Sequence, residues 1–236
     1  GARVEGGWRG TLERLQLAAE KVPAVALVQP AGIAFVDGAI SLGQSCLRGD
    51  GIGLCVAAEG RPEGPLQASY ELDDLPLALV AAFAPDLPFE LEGTIAGQGS
   101  VRREADGALF GQLFIASPAG GVANAEDDAE ELLRYENLRI DALLQGDVAR
   151  LQARGVVGAG GELDATLSVA GLQADDTAPQ LDGNATLVVP DLAPLAVFTP
   201  QLASVRGSAR ALVRISGTAE SPQVIGEIAA KELGAE

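Results

Sequence analysis

Most of the chain alternates between apolar and polar residues with a period of two. This pattern is typical of β-strands that have one dry face and one wet face. The segments that alternate most clearly are 66–72, 89–95, 138–144, 163–169, 185–189 and 205–215. Glycine-rich turns, such as 158–161 and 182–183, separate them. The sequence therefore predicts a mainly β protein built from antiparallel strands, with mixed pairing as a variant.

Helix is scarce, and the sequence predicts only two or three short helices. Segments 77–84 and 195–199 each follow a proline and end before Pro85 or Pro200, as short proline-bounded helices do. We expect them to pack on the dry face of the sheet through four anchors, Leu79, Phe83, Leu195 and Phe198. Segment 126–135 begins with acidic residues and is a third candidate, with a solvated acidic loop as the alternative.

An internal repeat relates the two halves of the chain. Phe83, Pro85 and Leu87 recur 115 positions later as Phe198, Pro200 and Leu202, and segment 108–114 aligns with 223–229 at the same offset. Self-similarity at a fixed spacing indicates that one supersecondary unit is stacked on another. The sequence therefore predicts one elongated β domain, residues 1–236, made of two diverged units at about 1–115 and 116–236.

The dry faces of the predicted strands have two interpretations. In an ordinary sandwich, two such faces would pack on each other. In an open, curved sheet, the dry face would instead line a hydrophobic groove suited to alkyl chains or apolar strands. Periodicity alone does not distinguish them. The residues expected to line a groove are Leu66, Tyr70, Leu91, Ile95, Leu113, Ile140, Leu144, Leu163, Leu167, Val169, Leu187, Val189, Val213 and Ile215.

The two cysteines indicate a compartment. Asp50-Gly51 favours a two-residue type I′ hairpin, and counting outward from it places Cys46 opposite Cys55 in a pair without mutual hydrogen bonds. The Cα separation of such a pair, about 4.5 Å, is at the short end of the disulfide range. The register favours a disulfide over two free thiols, and a disulfide indicates an oxidising compartment.

Composition excludes several classes of function. A net charge of −17 repels phosphate backbones, so we expect no nucleic-acid partner. The chain has no histidine, hence no Ser-His or Cys-His pair, and we expect neither an enzyme nor a metal or cofactor site. The apolar run 75–85 is about half of what a membrane helix needs. Arg102, Arg103, Arg210 and Arg214 are expected at solvent-facing strand positions.

Several motifs resemble the TamB family, which belongs to the wider group of AsmA-like bridge proteins. Segment 214–228 reads RISGTAESPQVIGEI and is similar to the family's recurring unit G-T-x-x-x-P-x-V-x-G-x-I through Gly217, Thr218, Pro222, Val224, Gly226 and Ile228. Segments 46–55 and 66–77 also resemble the middle-to-late part of TamB chains. The resemblance covers 40–115 and 180–233.

The resemblance implies a fold and a role for this chain. It implies a β-taco, a half-pipe with a hydrophobic groove, in the periplasm of a Gram-negative bacterium, with an inner-membrane helix outside this chain as anchor. It also implies work with an outer-membrane barrel of the TamA type, in phospholipid passage or in assembly of outer-membrane proteins. Two other functions stay open: a lipid-free scaffold for nascent outer-membrane strands, and a plain solenoid or adhesin-like module.

Overall fold

The computed structural model describes residues 1–19, 22–78, 89–124, 131–158, 160–173, 178–190 and 205–235. These residues form sixteen strands, as the alternating pattern predicts. The strands are β1 (Ala2–Val4), β2 (Gly7–Leu12), β3 (Gln16–Ala19), β4 (Val22–Leu27), β5 (Ala31–Val36), β6 (Ala39–Gly49), β7 (Ile52–Gly60), β8 (Leu66–Pro76), β9 (Phe89–Arg103), β10 (Leu109–Asn124), β11 (Glu131–Gly146), β12 (Val148–Val157), β13 (Gly161–Ala170), β14 (Gln180–Val189), β15 (Val205–Gly217) and β16 (Pro222–Ala235).

All of these strands belong to one sheet, and every pairing is antiparallel. From β5 to β16 the spatial order follows the chain order, and the sheet ends at β1 on one side and β16 on the other. The hairpin β3–β4 lies off this path, because β4 pairs with one end of β6 while β5 pairs with its other end. The sheet is therefore open rather than closed into a barrel.

The hairpin β6–β7 has the register predicted from the sequence. Leu47 pairs with Leu54 and Cys46 with Cys55. The turn residues Asp50 and Gly51 both have positive φ, 47° and 85°, which a type I′ turn requires. Cys46 and Cys55 form a disulfide with a Cα–Cα distance of 4.0 Å. The predicted pairing is confirmed.

The accessible surface shows that the sheet is not covered by a second layer. It measures 14970 Å², whereas a compact monomer of 24.0 kDa would expose about 9,900 Å². The buried apolar residues are few, and most are small or lie near one hairpin. The sandwich interpretation is therefore wrong, because the described strands form a single sheet and no second dry face packs on the first.

Of the predicted helices, the described part of the chain shows only the first two residues of one. Candidate 126–135 is wrong over 131–135, because β11 already begins at Glu131. Its residues there pair with β10, and a full ladder of backbone hydrogen bonds outweighs the weak helical signal of an acidic first turn. Candidate 77–84 is described only at Leu77 and Ala78, which are helical. Candidate 195–199 and the four anchors, Leu79, Phe83, Leu195 and Phe198, lie outside the described residues.

The repeated segments occupy corresponding places in the sheet. Segment 108–114 lies at the start of β10, and segment 223–229 lies at the start of β16. Each of these strands pairs with the strand before it through a short turn. The division into units at about 1–115 and 116–236 stays a prediction, and its boundary falls inside β10, where the sheet is continuous.

A row of register shifts and positive φ values, which we call the row of register shifts, lies at one level in the four neighbouring strands β8–β11. The shifts lie between Leu72 and Leu75 in β8, between Ala116 and Gly120 in β10, and between Glu136 and Arg139 in β11. Asp74, Gly93 and Asn137, at the same level, have positive φ values of 44°, 109° and 50°. Because bulges bend strands and increase their twist, this row changes the direction of β8–β11 near one end.

Candidate functional site: the apolar face of the sheet

The register places the predicted groove residues on one face of the sheet. Paired residues in an antiparallel sheet point to the same side, so the face can be followed from strand to strand. One continuous line of partners runs Tyr70, Gly99, Leu113, Ala142, Leu151, Leu167, Gly183, Ile215 and Val224. We call this side the apolar face.

The other candidates join the same face through neighbouring lines of partners. The pairings that place them are Leu66 with Arg103, Ile95 with Leu75, Leu91 with Val122, Ile140 with Ile115 and Ala153, Leu144 with Gly111 and Ala149, Leu163 with Leu187, Val169 with Ala149 and Leu181, Val189 with Ala209, and Val213 with Ala185.

The apolar face is only partly shielded from solvent. All fourteen candidates are half-buried, whereas their neighbours on the opposite side, such as Gln98, Gln112 and Thr166, are exposed. Side chains in a closed core would be almost fully buried. The difference between the two sides shows that apolar side chains shelter one another on this face, although the described residues place no layer above them.

Tyr70 and Leu113 meet over Gly99 on the apolar face. A Cβ at Gly99 would lie 2.6 Å from the Tyr70 ring and 2.7 Å from Leu113 Cδ2, so glycine leaves room for both side chains. The Tyr70 hydroxyl donates a hydrogen bond to the Phe114 carbonyl at 3.1 Å and thereby crosses β9. Burial raises the pKa of this hydroxyl above its ordinary value. A shallow apolar depression adjoins the pair, lined by Leu42, Val56, Ala68 and Val101.

A small core of buried side chains lies on the apolar face at one end of the strands. Val25 of β4 packs with Leu47 and Ile52, and Leu27, Leu54 and Leu75 surround them. These residues lie near the β6–β7 turn, so they close one end of the face only.

A hydrogen-bond cluster joins β9, β10 and β11 at the row of register shifts. The hydroxyl of buried Ser117 donates to the Thr94 carbonyl at 2.7 Å and lies 2.9 Å from the Tyr135 hydroxyl.

The opposite side, which we call the polar face, carries ion pairs and the disulfide. Arg139 pairs with Asp141 at 2.7 Å, which lowers the pKa of that carboxyl, and Arg154 pairs with Asp164 at 2.9 Å. The Arg139 guanidinium also stacks 4.5 Å above the Phe114 ring. Exposed pairs of this kind contribute little stability, at most about 1 kcal/mol each.

One functional candidate was missed from the sequence. Arg103 was expected to face solvent, but it pairs with Leu66 and Leu109 and so belongs to the apolar face. The alternation of side chains along a strand could have shown this. Adjacent residues point to opposite sides, so Arg102 and Arg103 cannot both lie on the polar face.

The described residues show neither a clustered metal site nor a membrane helix. Among them, no three Cys, Asp or Glu side chains lie close enough together to hold a metal ion. Within the same part of the chain, no helix is long and apolar enough to cross a membrane.

The fold and the face together define a class: an open antiparallel sheet with one extended apolar side. The family model described as "TamB, N-terminal domain" matches residues 2–230, and the chain belongs to the TamB family of Gram-negative envelope proteins. The match is to the family's N-terminal domain, not to the middle-to-late part with which the motifs were compared. No solved structure matches the chain.

Proposed function

We propose that the apolar face carries the acyl chains of phospholipids between the inner and outer membranes. The observation that supports this most directly is the line of partners on the apolar face from Tyr70 in β8 to Val224 in β16, with no covering layer in the described structure. An alkyl chain laid on it would be removed from water at about 25 cal/mol per Å² of apolar surface. The proposed role is non-catalytic.

The proposed setting is the periplasm. The Cys46–Cys55 disulfide supports an oxidising compartment, and family membership supports the envelope of a Gram-negative bacterium. We further propose that the full-length protein is anchored in the inner membrane by a helix outside this chain. In this proposal a barrel of the TamA type is its partner at the outer membrane, and the sheet is curved into a half-pipe.

Photo-crosslinking from neighbouring positions tests the acyl-chain proposal. A photoreactive amino acid at Leu113 faces the apolar side, and one at Gln112, one residue away, faces the polar side. In cells, Leu113 should crosslink to lipid and Gln112 should not. Equal crosslinking at the two positions, or none at Leu113 together with no lipid in organic extracts of the purified protein, would count against the proposal.

A second candidate function is a scaffold for nascent outer-membrane strands, and the edge strand β16 favours it. Val224, Ile225 and Ile228 are 64%, 67% and 77% exposed, and among the described strands β16 pairs only with β15. A long apolar edge can add a further strand through its backbone groups. Crosslinks from Ile225 to unfolded porin peptides, with no lipid at Leu113, would favour this candidate over acyl-chain passage.

A further inference from the structure

At one edge of the apolar face, a positive charge is held by backbone carbonyls. Arg103 ends β9, where its side chain lies on the apolar face opposite Leu66 of β8 and Leu109 of β10. Its Nε donates to the Gly64 carbonyl at 2.9 Å, and its Nη2 donates to the carbonyls of Arg61 and Pro62. These three bonds fix the guanidinium against the turn 61–65.

No carboxylate within the described residues neutralises this charge. Arg48, Arg102, Arg139 and Arg154 each pair with an Asp or Glu, whereas Arg103 has no such pair. The nearest acids along the chain do not serve, because Glu104 pairs with Arg102 and Glu63 forms no ion pair in this part of the structure. Other described arginines, such as Arg9 and Arg214, also lack an acidic partner within this part of the chain. Arg103 is distinguished by the backbone carbonyls that hold its guanidinium.

The guanidinium also keeps donors available. Its bonds to the turn use Nε and Nη2, so the two N–H groups of Nη1 have no hydrogen-bond partner among the described residues. Arginine presents its donors as a planar fork that suits phosphate and carboxylate oxygens. The side chain is therefore positioned before any ligand arrives, and two of its donors remain free.

The charge lies next to the apolar depression beside Tyr70. Val101, which lines that depression, is two residues before Arg103 in the same strand, a distance of about 7 Å along β9. Ala68, another lining residue, is two residues from Leu66, the partner of Arg103. An apolar surface and a fixed cation at this spacing match a molecule with an alkyl tail and an anionic head.

We propose that Arg103 binds the phosphate of a phospholipid whose acyl chain lies on the adjacent apolar face. The proposal rests on the proposed function, since the tail occupies the face described there. It adds a residue that selects for the headgroup and holds it at the end of the strands, beside the turns 61–65 and 104–108. A guanidinium with free donors would also attract inorganic phosphate. The test therefore distinguishes the phosphate of a lipid headgroup from free phosphate.

Binding of two lipids with one tail tests this assignment. Purified protein is titrated with monomeric palmitoyl lysophosphatidic acid and with monopalmitoylglycerol, which lacks the phosphate. We expect about tenfold or greater preference for the phosphate lipid, because charge-assisted hydrogen bonds are worth more than one decade in affinity. Arg103→Gln should abolish the preference. Arg102→Gln, on the polar face, should retain it, and inorganic phosphate should not compete.

The outcomes separate the two proposals. If the protein binds both lipids equally, or if Arg103→Gln keeps the preference, the headgroup assignment is wrong while the acyl-chain proposal stands. If neither lipid binds, both proposals fail. Competition by inorganic phosphate at micromolar concentration would mean that the site binds phosphate without a lipid tail. That result would also overturn the headgroup assignment.

A measurement on the unaltered protein covers the case in which Arg103→Gln does not fold. A lysophospholipid with a photoreactive group beside its phosphate should label peptides containing 61–66 or 103–109. Labelling confined to other peptides would overturn the assignment of Arg103.

Discussion

At the scale of single residues, the apolar face depends on what lies beside each large side chain. Tyr70 can cross β9 only because Gly99 lacks a side chain, and its hydroxyl reaches the Phe114 carbonyl for the same reason. The aromatic ring thus contributes apolar surface, while its polar atom is satisfied by the backbone. A tyrosine here keeps the face apolar without leaving a hydrogen-bonding group unpaired.

Replacing Tyr70 by Phe should lower the free energy of unfolding by about 1 kcal/mol through loss of the hydrogen bond to Phe114. The pH dependence provides a second measure. Burial raises the pKa of Tyr70 in the folded state. The stability that the protonated hydroxyl contributes is therefore complete below the ordinary pKa of 10.0, and it is lost as pH rises through the raised pKa of the folded state. Urea titrations between neutral pH and pH 11 should therefore show a steeper alkaline loss in the parent than in Tyr70→Phe; parallel curves would contradict this.

The disulfide should be complete in protein isolated without reductant. Under denaturing, non-reducing conditions, a thiol reagent should modify neither Cys46 nor Cys55, and prior reduction should expose both. Closing a loop of this length stabilises the folded state by about 2–3 kcal/mol in the chain-entropy model, so the double Cys→Ser variant should melt at lower temperature. Stoichiometric labelling before reduction would contradict the assignment.

The disulfide and Arg103 show which single-residue contacts can be predicted from the sequence. The cysteine pair follows from counting outward from Asp50-Gly51, because a two-residue turn fixes the register. The pairing of Arg103 with the turn 61–65 does not follow from counting, since it depends on where a distant turn lies when the sheet is assembled. Local geometry was predictable, and long-range side-chain contacts were not.

At the scale of elements, strands were predicted well and their irregularities were not. Alternation identifies β8, β9 and β13 because each has one half-buried and one exposed side. The row of register shifts through β8–β11 leaves little trace in the sequence, because Asp74 and Asn137 read as ordinary polar positions. For segment 126–135 the sequence offers a helix or a solvated loop, and neither holds over 131–135, because an acidic stretch is also compatible with a polar strand face.

Asn137 provides a test of the row of register shifts. Its φ of 50° lies in the left-handed region, which asparagine and glycine tolerate and alanine does not. Asn137→Ala should lower the free energy of unfolding by about 1 kcal/mol, while Asn137→Gly should stay within about 0.5 kcal/mol of the parent. Urea denaturation of the three proteins measures both differences. Equal losses in Ala and Gly variants would mean that the backbone at 137 is not left-handed in solution.

At the scale of the whole molecule, the decisive property is an apolar side that stays accessible. Pattern alone left a sandwich and an open sheet equally consistent, because each requires one dry face per strand. The strand order resolves this, since all described strands share one sheet. Family membership then supports an envelope role, whereas the ligand still rests on the proposal above.

Charges introduced on the two sides of β15 should have different effects. Val213 lies on the apolar face and Leu212, 40% exposed, lies on the polar face. Val213→Arg and Leu187→Asp should keep the β-type circular dichroism spectrum, with losses of about 1–2 kcal/mol from reduced apolar burial, but should lose lipid binding. Leu212→Arg should keep both properties. Unfolding of both apolar-face variants would indicate a closed core in solution and contradict an open face.

The agreement between strand order and chain order from β5 onward has a consequence for synthesis and export. Nearly every ladder joins a strand to its immediate predecessor, so a newly emerged segment finds its partner already in place. At most steps the closure entropy is limited to a short loop, the connections 77–88 and 190–204 being longer, which keeps contact order low for a β protein. Such a chain can assemble in the direction in which it is delivered, strand after strand, without waiting for its final residues.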